Sequence, residues 1–396
     1  MHPTLFRIPF LPDWLADVKS YGVMIMIGFL TGIYLACRRA HRTQGNPDIV
    51  LNIGFLALVF GILGARLMFV LHYWDTRFGN QPSPLMAALD IRAGGMEFWG
   101  GPLLVIPVVV IYLRYIAKVS VRWYLDITTP ALAWGLAITR MGCFLNGCGW
   151  GGVCVDPHDP HHQKASIPWA VRFPYGSPAM NQQYEFGQLT LPAELIYVLP
   201  SGESVPLPRD FIQAAVKDGG KTWRKVQEDL KNQHEKAADL LARFRQSKLG
   251  VVQAQCQRFG LTPQQLAELA GFYRSEPVHP SQLYALINGF LIYAVLAALY
   301  YYRRRHGIIL GWFLILYSVS RIFLELIRQD NPLDIGGVTI SQAISIVTFT
   351  VGVIWLWIMY RLLPRISPRA VPYVPPPEDL PQAKPASKAK PSKRSG

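Results

Sequence analysis

The stretch Ala137 to Gly152, Ala-Ile-Thr-Arg-Met-Gly-Cys-Phe-Leu-Asn-Gly-Cys-Gly-Trp-Gly-Gly, runs from an apolar segment through an arginine into a glycine-rich polar run. Arg140 has no other charge between Asp126 and Asp156 to neutralise it. An arginine at membrane depth costs about 2.5 to 3.5 kcal/mol at a helix centre on insertion scales and is kept where it faces a cavity or a partner. Gly142, Gly147, Gly149, Gly151 and Gly152 add backbone that bends, comes close to a ligand and offers amide donors to an anion. A phosphate-bearing ligand approached from the bilayer is one reading. The other is an arginine snorkelling to headgroups, with the glycines as a helix stop.

Three further stretches carry chemistry. Tyr317, Arg321, Glu325 and Arg328 recur at three- and four-residue spacing and so share one helix face. An internal Arg321 and Glu325 ion pair accounts for two of them. A second arginine from another helix favours a phosphate held between Arg140 and Arg321, because guanidinium meets phosphate bidentately. Gly94-Gly95-Met96-Glu97-Phe98-Trp99-Gly100-Gly101 places glycine pairs around an acid and aromatic residues, which also suits close helix packing. In Val278-His279-Pro280-Ser281-Gln282-Leu283-Tyr284, Ser281 and Gln282 can satisfy freed backbone groups, and His279 reads as a base or, preferably, a helix-entry residue.

The elements that must position these residues follow from composition. Charged residues make up 16% and hydrophobic ones 51%, against about 25% charged in soluble domains. The chain reads as an all-α polytopic membrane protein. Apolar blocks fall near Tyr21 to Cys37, Val50 to Tyr73, Met96 to Ile116, Trp123 to Leu145, Gln282 to Tyr302, Ile308 to Ile327 and Val338 to Leu363, the first a little short of the roughly 20 residues a span needs. Arg38, Arg39 and Arg42, then Lys118 and Arg122, then Arg303 to Arg305, then Arg361, Arg365 and Arg369 belong to one alternate set of loops. The positive-inside rule then gives seven transmembrane helices, the N-terminus outside (periplasmic) and the C-terminus cytoplasmic. The net charge of +14 belongs to this orientation and implies no nucleic acid. Met1 to Lys19 lacks the pattern of a cleaved signal peptide.

Four regions result: residues 1–152 with four spans and the arginine loop, 153–278 as an extracytoplasmic insert, 279–363 with three spans, and 364–396 as a basic, disordered cytoplasmic tail. Within the insert, His158 to Ser204 reads as short extended segments and turns. Arg209 to Leu249 reads as helix broken at Gly219-Gly220, and Thr262-Pro263 opens a helix to Phe272. His158, His161 and His162 read as a solvated loop, and the five cysteines show no zinc spacing. Neither metal nor cofactor is signalled. Pairing of Cys148 with Cys154, or of Cys154 with Cys256, stays open in an oxidising compartment.

Taken together, Tyr21-Gly22, Gly64-Ala65-Arg66-Leu67, the double-glycine motif, the Arg140 to Gly152 run, His279 to Tyr284 and the Tyr317, Arg321, Glu325 helix resemble the prolipoprotein diacylglyceryl transferases of the bacterial inner membrane, along nearly all of the membrane part. The resemblance implies transfer of the diacylglyceryl group of phosphatidylglycerol to the lipobox cysteine in a prolipoprotein signal peptide, with release of glycerol 1-phosphate. By resemblance, Arg140 and Arg321 are the arginines at the phospholipid headgroup and Tyr317 and Glu325 support them. Tyr21, Arg66, Gly95, Trp99, Gly100, Asn146, Gly151, His279 and Gln282 are the substrate-binding set, alongside membrane lipids as surroundings.

The chain departs from the family pattern at Trp99, where many members have histidine, at Cys143 and Cys148, and at Ala285, which replaces a frequent glutamate. The insert is longer than usual. Without that histidine, a substrate thiol with a pKa near 8.5 still needs only a modest shift beside cations to ionise. Attack on the glyceryl CH2 asks the protein for orientation and for charge stabilisation on the departing phosphate. Neither thiol is needed as a nucleophile. An inactive lipoprotein-binding relative and an anion or lipid transporter are the alternatives, although no internal repeat of the transporter kind is visible.

Overall fold

The structure, a computed structural model, describes residues 4–7, 17–79, 83–90, 94–156, 165–199, 202–232, 237–328 and 339–374. The histidine cluster His158, His161 and His162, the loop Gln329 to Gly337 and most of the basic tail lie outside the described residues. A short antiparallel pair, β1 (Thr4–Arg7) and β2 (Asp17–Lys19), leads into α1 (Ser20–Arg42). Then come α2 (Pro47–His72), the short α3 (Pro84–Leu89), α4 (Gly100–Ile111) continued by a wide turn at Tyr112–Ile116, and α5 (Val121–Asn146).

The insert follows with α6 (Pro178–Glu185), the hairpin β3 (Ile196–Val198) and β4 (Ser204–Pro206), and helices α7 (Arg209–Asp218), α8 (Lys221–Asn232), α9 (Ala237–Gln246), α10 (Lys248–Phe259) and α11 (Pro263–Phe272). Helices α12 (Ser281–Tyr302), α13 (Ile308–Ile327) and α14 (Ile340–Arg361) complete the chain.

Among the described residues, α1, α2, α12, α13 and α14 are long and apolar enough to cross a membrane. The two other expected spans differ for local reasons. Helix α4 has only 12 residues before its hydrogen bonding widens, and Pro107 lies inside it. Helix α5 is 26 residues long but carries Arg122, Asp126 and Arg140, which lower its apolar character. The first block is longer than its apolar run indicates. Helix α1 continues through Arg38, Arg39 and Arg42 to 23 residues, because arginine is a good helix former.

Contacts divide the chain into two units, residues 1–32 with 128–365 and residues 33–127 with 366–396. In the second unit, α2 and α4 meet backbone to backbone at Gly64 and Gly100, where any Cβ would strike the facing glycine. In the first, α13 and α14 approach through Gly311 and Gly352. A Cβ on Gly311 would come within 2.5 Å of Leu356, and one on Gly352 within 3.0 Å of Leu314. Small residues at such crossings let helices gain dispersion contact where lipid supplies no hydrophobic drive.

The insert has its own core, in which Tyr175, Met180, Leu195, Leu207, Ile212, Val252, Cys256 and Leu266 are buried together. Gln255 donates from one amide nitrogen to the carbonyls of Ala193, Glu194 and Ile196, fastening α10 to the hairpin entry. The expected helix start at Thr262-Pro263 is a complete capping box, with Thr262 Oγ1 accepting from Gln265 N and Gln265 Oε1 accepting from Thr262 N. Gly219, at φ 58°, ends α7 in the left-handed region. Strand β3 and the turn into β4 fall on the expected short extended segments and turns, whereas α6 departs from them, because a helix this short carries no usable period.

Candidate active site

Arg140, Tyr317 and Arg321 line one cleft between α5, α12 and α13, together with Ala133, Leu136, Ala285, Asn288, Gly289, Ile292, Phe313, Ser320 and Leu324. Helix α5 reaches its end six residues after Arg140, and α13 ends six residues after Arg321. At 1.5 Å per residue both guanidinium-bearing positions sit about 9 Å inside their helix ends. Deeper in the cleft, toward Ala133, Ile292 and Phe313, the walls are apolar.

Arg321 is braced from one side. Its Nη2 lies 3.1 Å from Glu325 Oε2 and donates to Ser341 Oγ at 3.0 Å. Glu325 is buried, 4% exposed, and its other oxygen accepts from Thr339 Oγ1 at 3.1 Å. Both contacts of the guanidinium fall on Nη2, so Nε and Nη1, with three of the five N–H groups, make no hydrogen bond to a described residue. The expected Arg321 and Glu325 pair is therefore present and still leaves a donor fork for a ligand. Arg140 forms no ion pair among the described residues and lies close to the Cys143 thiol and within electrostatic reach of Arg321. Two guanidinium groups with so little neutralisation in an apolar wall form a strongly anion-selective spot.

Tyr21, on the first turn of α1, packs on Gly142. A Cβ there would come within 3.1 Å of the Tyr21 ring. This groups Tyr21 with Arg140, Cys143 and Cys148. Tyr317 stacks on Phe313, with centroids 5.7 Å apart.

The glycine loop after α5 is stitched into the chain. Gly147 N and Cys148 N donate to Cys143 O, Gly151 N to His279 O at 3.0 Å, and Gly152 N to Ile327 O at 2.7 Å. Ser281 Oγ donates to Gly149 O at 2.6 Å and Gln282 Nε2 to Cys148 O at 3.0 Å. These four amides are consequently unavailable to an anion, so Gly147, Gly151 and Gly152 do not supply the donors expected of them. Glycine is needed at Gly151 for close approach, since a Cβ would come within 2.7 Å of His279, and at Gly147 for its φ of 80°. Trp150 anchors the loop in a small core with Phe173, Ala179 and Val278.

Of the expected binding residues here, Asn146 closes α5 and hydrogen-bonds toward Cys148, Gln282 is fully buried, and His279 bonds through its backbone on both sides. The His279 ring reaches Tyr284 Oη at 3.3 Å, a helix-entry role. All five cysteines are free. Cys256 lies in the insert core and Cys154 donates to Pro277 O, so neither pairing left open by the sequence is present. Cys148 is held low, to about 6, chiefly by a hydrogen bond from Cys143, with Asn146 and Arg140 assisting against the opposing effect of burial.

The second unit holds Arg66, Gly95, Trp99 and Gly100. Arg66, 6% exposed, donates Nε to Ala88 O, Nη1 to Gly94 O and Gly95 O, and Nη2 to Ala87 O and Asp90 O. Five bonds use all five donors, so this guanidinium holds residues 87–95 and has none left for a phosphate. Gly95, at φ 86°, lies over the Phe69 ring. Trp99 stands half exposed at the start of α4, in edge contact with Phe98. Glu97 meets His72 at 3.2 Å.

Sequence reasoning missed Ser341 and Thr339, which reach the site from α14 and its cap, and Asn288, a lone amide within an apolar run and so visible in principle. The arrangement is that of a multi-pass helical membrane protein with a two-arginine cleft that opens into an apolar trough. The chain belongs to the prolipoprotein diacylglyceryl transferase family, whose model matches residues 4–358. It is 28% identical over 374 residues to a phosphatidylglycerol–prolipoprotein diacylglyceryl transferase from Citrobacter koseri, covering 92% of this chain and 94% of that one. Proteins of the same name from Escherichia coli and Shigella boydii are 27% identical over the same shares.

Proposed function

We propose that this protein transfers the diacylglyceryl group of phosphatidylglycerol to the lipobox cysteine of prolipoprotein signal peptides, forming a thioether and releasing glycerol 1-phosphate. The observation that carries the reading is the open Nε and Nη1 edge of Arg321, in a cleft shared with Arg140 and continued by apolar walls. The phosphate takes the arginines and the acyl chains take the trough. The peptide thiolate attacks the glyceryl CH2 from the side opposite the departing phosphate oxygen. Sulfur to carbon forms as carbon to oxygen breaks, and the electron pair leaves on phosphate, where guanidinium donors stabilise it by roughly 3 to 4 kcal/mol per well-placed donor.

Glu325 keeps Arg321 in place, and Tyr317 and Tyr21 flank the headgroup. Asn146, Gly151, His279 and Gln282 hold the loop beneath it. Arg66 fixes the segment that ends at Gly95, ahead of Trp99 and Gly100, and Trp99 packs on Phe98 rather than serving as a base, since its indole can take no proton. The topology proposed is seven spans with the N-terminus periplasmic, the C-terminus cytoplasmic and the insert 153–278 outside, in the bacterial inner membrane. Basic clusters on alternate loops support it.

The test is direct. Purified protein in phosphatidylglycerol micelles should add the diacylglyceryl mass to a lipobox peptide and release one glycerol phosphate per peptide. An unmodified peptide, or phosphate retained on the product, would overturn the proposal.

A further inference from the structure

Beyond the two arginines and Tyr317, the cleft has two polar side chains in its lining, Asn288 and Ser320. Ser320 donates its hydroxyl hydrogen to Tyr317 O at 2.9 Å. Asn288, on α12, makes no hydrogen bond to another described residue. A carboxamide within an apolar helix and without a protein partner is costly, and such groups mark the path of a ligand.

Its depth says which part of a ligand it meets. The next residue, Gly289, lies against α5 at Ala137, where a Cβ would come within 2.8 Å of the Ala137 Cβ. Ala137 is three residues before Arg140, about 4.5 Å deeper along the helix. Asn288 therefore lies between the arginine level and the apolar floor formed by Ile292 and Phe313. In a diacyl phospholipid whose phosphate rests on the arginines, the groups a few bonds below are the two ester carbonyls. Those are acceptors without a hydrogen to give, matching an amide N–H2.

We propose that Asn288 is a further binding residue of the transfer reaction, donating to an acyl ester carbonyl of the bound phospholipid and so setting the depth at which its glyceryl CH2 meets the incoming thiolate. The inference rests on the functional reading above and adds a preference for ester-linked over ether-linked lipid, because a dialkyl ether has no carbonyl to accept the bond.

The experiment compares dioleoyl phosphatidylglycerol with its dioleyl ether analogue in mixed micelles, using the full chain and a lipobox peptide. The unaltered protein should use the diester with a kcat/KM roughly three- to tenfold higher, the scale of one neutral hydrogen bond. Asn288→Leu should lose that advantage, with diester transfer falling by the same factor and diether transfer unchanged. Asn288→Ala gives a second route to the same ratio should the leucine pack badly. An equal kcat/KM for both lipids in the unaltered protein, or an undiminished ester preference in either variant, would overturn the assignment of Asn288 while leaving the transferase reading in place. No transfer from either lipid by the unaltered protein would overturn that reading, and this inference with it.

Discussion

Arg321 Nη2 and Glu325 Oε2 lie 3.1 Å apart, one helical turn from each other on α13, and Glu325 is buried behind the arginine rather than beside the cleft. The pair is thus both a structural bond and the mount for an open donor edge. Removing the acid leaves Arg321 facing Arg140 and Arg328 without its counter-charge. Breaking a buried pair from one side costs about 3 to 5 kcal/mol. Glu325→Gln keeps an acceptor for Thr339 Oγ1 and loses only the charge, so the protein is expected to fold with a lowered melting temperature and a kcat/KM reduced roughly tenfold or more, since 1.4 kcal/mol is a factor of ten. Thermal unfolding and peptide lipidation measured on one preparation check this. Unchanged transfer would show that Arg321 needs no mount.

Arg66 yields a different expectation, because its five donors all end on carbonyls of residues 87–95. Lysine cannot reproduce a planar fork. Arg66→Lys should loosen this segment, seen as faster amide exchange around Gly94 and Gly95, and transfer should fall in proportion. A variant with normal exchange and no activity would point instead to direct contact with substrate.

The two thiols beside Arg140 separate reactivity from catalysis. Cys148, lowered to about 6, is mostly thiolate at neutral pH. Its alkylation by a membrane-impermeant maleimide should therefore be near its maximum at pH 7 and decline as pH falls through 6, where an ordinary thiol would already be losing rate below pH 8.5. Cys143→Ser and Cys148→Ser should retain transfer, because the peptide supplies the reacting sulfur. Mass spectrometry would reveal a lipid adduct on either cysteine, and finding one would contradict direct displacement.

Much of this was legible in the sequence because charged residues within apolar runs are few. The phase of Tyr317, Arg321 and Glu325 on one helix face and the start of α11 at Thr262-Pro263 were readable from spacing alone. What escaped depends on distance in the fold. Nothing local to Ser341 announces that it meets Arg321 twenty residues earlier. The glycines of the loop read as an anion cradle because amide donors are visible in sequence, whereas the carbonyls that occupy them, at His279 and Ile327, arrive from other elements. Arg66, expected by resemblance in the substrate-binding set, shows its positioning role only once its five carbonyl partners are seen.

The insert allows a clean dissection. Among the described residues, the core built on Tyr175, Met180, Leu195, Leu207, Ile212, Val252, Cys256 and Leu266 includes none from α8 or α9. Replacing residues 221–246 by a short Gly/Ser linker should leave that core and its unfolding transition intact. Transfer to a short lipobox peptide should stay within about twofold, with any change confined to full-length prolipoproteins. Loss of peptide transfer in the well-folded deletion would place these helices in the active site.

The most direct test of the account is peptide lipidation by Arg140→Ala and Arg321→Ala proteins that insert and unfold like the unaltered chain. Each is expected to lose transfer by at least 10²-fold, the scale of removing one donor from a developing oxyanion, with poor rescue by lysine because a point charge lacks the fork. Near-normal transfer by the Arg140→Ala protein would contradict the claim that these two arginines hold the departing phosphate.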